Sequence, residues 1–256
     1  PGVQGVAVRV AAEPDAAARA TVDRLLQAPL DVDAAVQIAL LNNPGLQAAL
    51  ATLGLREADR AQAGSLGNPH LSLGRMVEGD KVEIERALRF NLMDLLTLPW
   101  RTRWAGQQAE LARLQAAQEV VRLAADTRKA WIQAVAARQS AAYQRDVQDA
   151  AEAGAELARR MARVGNLSRL NQARQQSFLA EATTQRARAE QVALASREHL
   201  IRLLGLWGAQ TTFTLPDRLP DLPASARELQ DVEAQAITQR LDVRSAVREA
   251  VYVGDS

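Results

Sequence analysis

A mainly α-helical chain is predicted, organised around one long antiparallel helical hairpin with a single β-hairpin ahead of it. Three features carry that prediction. A helical pattern runs from about Arg101 to Arg163 without a proline. It is broken once, at "RVGNLSRL", before a second helical run from about Leu170 to Leu206. Residues 69–92 instead alternate apolar and polar positions, the period of a strand.

The elements follow in order. Residues 1–29 have weak periodicity and read as an irregular lead-in with one short helix around Ala17 to Gln27. Residues 31–66 hold two helices: Asp31 or Asp33 can cap the first, whose face carries Ala35, Ile38 and Leu41, and Asn42-Asn43-Pro44-Gly45 divides it from the second. Pro44 suits a first helical position, where no N–H is needed. In the β-hairpin at 69–92, Leu71, Leu73 and Val77 alternate with small or polar residues, and "EGDK" supplies the turn. The second strand sets Val82, Ile84, Leu88, Phe90 and Leu92 on one face and Glu83, Glu85 and Arg89 on the other. Two strands make no stable sheet alone, so the hairpin needs helices or strands of another copy to cover it.

The long helix is read over 101–163, roughly 90 Å at 1.5 Å per residue. Leu114, Val121 and Val135 recur along it at heptad spacing, and the return helix, 170–206, offers Ala173, Ser177, Ala180, Thr184, Ala187 and Gln191. Such small and polar seams allow close approach but give a thin core, which predicts further flanking helices. A proline-rich connector spans 207–231. Beyond it, "AITQRLDVRSAV" at 236–247 matches "ALLNNPGLQAAL" at 39–50 by pattern, at a constant offset of 197, which predicts an internal repeat whose second copy begins at 232–256.

Composition excludes several functions. Of the 256 residues 48% are hydrophobic but only 4% aromatic, so alanine dominates the apolar content and an elongated helical shape is expected. The 31 basic and 30 acidic residues are interleaved along the helices, which argues for solvated faces and against a nucleic-acid partner. There is no cysteine, and the only histidines, His70 and His199, have no ligand spacing, so neither metal site nor cofactor is expected. No nucleophile elbow, phosphate loop or dinucleotide fingerprint occurs, and no enzyme is expected. No apolar run reaches 18 residues.

Three stretches together resemble the outer-membrane efflux factors, the TolC-type exit ducts of Gram-negative export machines: "LDVDAAVQIALLNNPGLQAA", "LGNPHLSLG" and "RVGNLSRLNQAR". Residues 30–206 fit one family repeat and 232–256 the start of the next. The resemblance implies a homotrimer whose β-hairpins close a shared barrel in the outer membrane and whose helices build an α-barrel through the periplasm. It implies passive conduction of drugs, metal ions or other small molecules, with a periplasmic adaptor and an inner-membrane pump as partners. Glu83, Glu85 and Arg89 would then face the barrel lumen, and Val82, Ile84, Leu88, Phe90 and Leu92 the outer-membrane lipid. The break becomes the periplasmic tip, where Arg163, Val164, Gly165, Asn166, Leu167 and Ser168 would meet the adaptor. Asn166 here separates the Gly and Leu that the family often holds adjacent. The competing expectation is a soluble periplasmic or cytosolic coiled-coil scaffold without transport activity, which explains the heptads but not the alternating strands.

Overall fold

The computed structural model describes residues 16–65, 70–78, 81–89, 92–222, 224–225, 237 and 239–254, with the side chains of 70–71, 75–78, 81–89, 92 and 251–254 outside that description. The elements are α1 (Ala16–Leu25), α2 (Val32–Asn42), α3 (Pro44–Ala63), β1 (His70–Glu78), β2 (Lys81–Arg89), α4 (Leu92–Arg163), α5 (Arg169–Leu204), a 3-10 turn (Gly208–Thr211) and α6 (Leu241–Gly254). The chain divides into two compact units.

One unit holds Ala12–Gln47 and Val120–Glu228. Its core gathers Leu30, Ile38 and Leu46 from the N-terminal segment, Leu123, Trp131 and Val135 from α4, Leu200, Ile201 and Leu204 from α5, and Phe213 and Leu215 from the connector. Asp31 caps α2 by accepting a 2.7 Å hydrogen bond from the Ala34 amide. Trp131 donates its indole N–H to the Leu30 carbonyl at 2.7 Å, so the indole of this core is also satisfied as a donor. Arg197 lies over the Phe213 ring, 4.3 Å from its centroid, and donates to the carbonyls of Thr211 and Phe213. Arg138 donates to the Leu215 carbonyl and pairs with Asp217. The two arginines strap the proline-rich connector to the helices.

The Asn-Asn-Pro-Gly break joins two helix ends. The Asn42 side chain donates to the carbonyls of Leu204 and Gly205, and that of Asn43 to Leu203, which satisfies the orphaned carbonyls at the C-terminus of α5. Asn43 Oδ1 meanwhile accepts from the Leu46 amide and so caps α3. Gly205 closes α5 at a φ of 65°, with Leu206 N–H reaching Ile201 O and Gly205 N–H reaching Arg202 O. This is a Schellman ending, and both residues of its apolar pair, Leu206 and Ile201, lie in the core.

Away from that core the helical hairpin is sealed by alanine: Ala151, Ala155 and Ala158 of α4 and Ala182 of α5 are buried. Arg145 of α4 and Arg186 of α5 both hold Glu190 of α5, at 2.9 and 3.1 Å. The expected return seam through Ala173, Ser177, Ala180, Thr184, Ala187 and Gln191 is exposed throughout, and Val121 of the outgoing heptads is exposed as well. In an alanine-rich helix several stripes have heptad spacing, so spacing alone did not single out the packed one.

The other unit contains Ala48–Glu119 and the segment bearing α6. Ala105, Ala109, Ala112 and Ala116 form the buried face of α4 there, and Arg113 pairs with Glu57 of α3 at 2.7 Å. The strands are antiparallel in a two-stranded sheet, with His70 opposite Arg89 and Glu78 opposite Lys81. Two expectations are corrected here. The second strand is described to Arg89, and Leu92 is the first residue of α4 and so is no strand position. The long helix begins at Leu92, not Arg101, and carries Pro99 inside it. Proline ordinarily stops a helix because it lacks an N–H and crowds the carbonyl four residues back. In α4 the hydroxyls of Thr97 and Thr102 bond the carbonyls of Met93 and Leu98 on either side of it, and the helix continues.

Candidate functional site

The turn between α4 and α5 is the first of two candidate sites. α4 ends in a second Schellman arrangement: Asn166 N–H bonds Met161 O at 2.9 Å, Gly165 N–H bonds Ala162 O at 3.2 Å, and Gly165 has a φ of 79°. The position following the glycine, apolar at the end of α5, is here the exposed Asn166. Ser168 then caps α5, its hydroxyl accepting from the Asn171 amide at 3.3 Å. Five residues therefore reverse the chain using backbone and cap hydrogen bonds, with no buried apolar lock.

That construction leaves apolar side chains outside. Val164 is 71% exposed and Leu170 63%, while Leu167 is half-buried. Leu157 and Met161 are exposed two turns and one turn before Val164, so 157, 161 and 164 share a face of α4. Around them stand Arg159, Arg160, Arg163, Arg169 and Arg174 against a single carboxylate, Glu156, over residues 156–178. The hydrogen bond from Arg160, with the charges of Arg159, Arg160 and Arg163, holds the Glu156 carboxyl below its usual range. The end of the hairpin is thus an exposed apolar patch in a basic rim. Arg163, Val164, Gly165, Asn166, Leu167 and Ser168 stand together at this turn. Leu157, Met161 and Leu170 were not singled out from the sequence, although their helical spacing from Val164 could have marked them.

The second candidate is the β-hairpin. Positions 82–89 lie on β2, but the side chains of Val82, Glu83, Ile84, Glu85, Leu88 and Arg89 fall outside the described residues, as does Phe90 altogether. The backbone register sets Glu83 opposite Met76 and Glu85 opposite Gly74. Among the described residues no group of His, Cys, Asp or Glu could hold a metal ion, and no helix is long and apolar enough to cross a membrane. The second statement does not bear on a β-barrel, whose strands are short.

The whole arrangement has counterparts among solved structures. A membrane protein from Pseudomonas aeruginosa superimposes with a TM-score of 0.61 at 19% identity, over 97% of this chain and 60% of that one. The CmeC outer membrane channel of Campylobacter jejuni matches with a TM-score of 0.67 at 12% identity, over 86% of this chain and 51% of that one. The outer membrane protein VceC of Vibrio cholerae gives 0.64 at 13% identity, over 87% and 56%. The chain has the fold of an outer-membrane channel. At these identities the likeness is one of fold, and the chain spans between half and about three-fifths of the length of the channels it matches. The channel fold agrees with the resemblance to outer-membrane efflux factors drawn from the three sequence stretches. No protein-family model and no curated protein sequence matches the chain.

Proposed function

We propose that this chain forms part of the outer-membrane exit duct of a tripartite efflux system in a Gram-negative bacterium, with β1 and β2 in the outer membrane and the helices in the periplasm. Three copies supply the strands that a lone hairpin lacks. Glu83, Glu85 and Arg89 line the lumen of that barrel, and Val82, Ile84, Leu88 and Phe90 face lipid. The duct conducts small molecules passively and performs no chemistry; an inner-membrane pump and a periplasmic adaptor supply energy and cargo.

The observation that carries this reading is the exposed patch at the α4–α5 turn, on a chain with an outer-membrane channel fold. A free helical hairpin gains nothing from leaving Leu157, Met161, Val164 and Leu170 in water, whereas a docking tip needs them there. The adaptor meets the turn at Arg163 to Ser168.

Cysteine crosslinking tests this directly. The chain has no cysteine, so Val164→Cys introduces a unique thiol. It should form a disulfide with a single-cysteine adaptor in the periplasm, and Gly165→Val in the same background should abolish the crosslink while leaving trimers intact. An unchanged crosslink would refute the docking assignment; loss of trimers together with the crosslink would assign Gly165 to assembly.

A further inference from the structure

The first three turns of α4 carry large apolar side chains in the open. Met93 is 63% exposed, Leu96 64%, Trp100 72% and Trp104 55%. Spaced 3, 4 and 4 residues apart, they form one stripe on the side of the helix away from buried Ala105 and Ala109. Arg101 and Arg103 flank the stripe; Arg101 reaches Asp94 at 3.5 Å, and Arg103 is exposed.

We infer that this stripe is an interfacial anchor that lies in the phosphate headgroup layer of the bilayer next to the β-hairpin. Three observations favour lipid over a second protein surface. Outside the leucine-rich core around Trp131, the helices of this chain are buried through alanine, as at Ala105, Ala109 and Ala112 or at Ala151, Ala155 and Ala158, and bulky indoles do not fit such a seam. Tryptophan beside arginine suits a headgroup layer, where the ring body is half-buried, the indole N–H is wet and the guanidinium meets phosphate. Finally, α4 begins only three positions after β2 ends at Arg89, so the stripe stands where the chain leaves the strand. The inference rests on the reading of that hairpin as membrane-inserted.

The test is depth-dependent quenching in vesicles of phosphatidylethanolamine and phosphatidylglycerol, using the full chain. Trp207→Phe removes the other exposed indole, and Trp131, 4% exposed, stays as an internal standard. Trp100 and Trp104 emission should move to the blue on vesicle binding and be quenched by headgroup-proximal doxyl lipid, a response that Trp100→Ala with Trp104→Ala removes. Arg103→Gln should lower partitioning onto these anionic vesicles by about fivefold, the effect of one basic charge near such a surface. A Leu73→Trp reporter on β1, in a background with Trp100 and Trp104 replaced, separates the two readings. Quenching at position 73 without quenching at 100 and 104 overturns the anchor and leaves the hairpin in the membrane. Silence at both overturns both. A blue shift on oligomerisation that doxyl lipid does not touch assigns the stripe to a second copy and overturns the inference.

Discussion

Gly165 and Gly205 end the two long helices with the same backbone device, yet they tolerate change differently. Each has a positive φ, 79° and 65°, which costs an L-residue roughly 1–2 kcal/mol. At Gly165 an added Cβ meets nothing within 4 Å, so Gly165→Ala should cost only that conformational term. At Gly205 the Cβ would run into the carbonyl of Asn42, the residue whose side chain caps α5. Gly205→Ala should therefore cost about 3 kcal/mol or more, because strain, backbone clash and a lost cap act together. Thermal unfolding of the two variants side by side checks the order. Glu190 supplies a pH-dependent link of the same local kind. Hydrogen bonds from Arg145 and Arg186 hold its pKa below the ordinary 4.5. Since the folded value lies below the unfolded one, the stabilisation is complete above about pH 4.5 and is lost as pH falls through the lowered folded value. Glu190→Gln should flatten the acid limb of a melting-temperature profile.

Among the helices, α4 is the one whose limits its residues disguise. Pro99 deprives the Leu95 carbonyl of its helical donor, and two threonine hydroxyls bond carbonyls on either side. Pro99→Ala should restore the bond and stabilise the chain by about 1–3 kcal/mol, read by denaturant unfolding. Its companion α5 shows the opposite economy. Leucine and isoleucine are buried only in its last turns, at Leu200, Ile201 and Leu204, where the connector and α2 cover them. Toward the tip the pair relies on alanine contacts and on the Arg145–Glu190–Arg186 link. The apolar packing of the hairpin thus thins toward its tip.

The offset of 197 recurs in the backbone of the whole chain. α3 starts at Pro44 after non-helical Asn43, and α6 starts at Leu241 after non-helical Arg240, the two pairs being 197 apart. At the positions offset by 197, Gln239 and Arg240 stand in place of Asn42 and Asn43, and Arg240 pairs with Asp242 at 3.0 Å. Among the described residues the sheet has two strands, so β1 and β2 each have one unpaired edge. Hydrogen exchange should therefore find the amides of 70–89 fast in the isolated chain and strongly protected after assembly in lipid or detergent. Slow exchange without assembly would mean that the hairpin finds its cover within one copy.

Helical period, the strand alternation and the Gly165–Ser168 break were legible in the residues, because each follows from local backbone preference: 3.6-residue spacing, two-residue spacing, a glycine free to turn left-handed and a serine free to cap. The turn between α4 and α5 was legible for the same reason. The run of α4 through Pro99 was not, since a proline is ordinarily a stop signal and nothing in the neighbouring residues announces that the helix continues. The packed face of α5 was not, since every stripe of an alanine-rich helix is small enough to pack and only the partner chooses one. Nor was the double duty of Asn42 and Asn43 visible, because the carbonyls they cap lie some 160 positions away in α5. Local geometry fixes which segments are helix, strand and turn, while the choice among equivalent faces and caps is made by contacts distant along the chain, which exist only once it has folded.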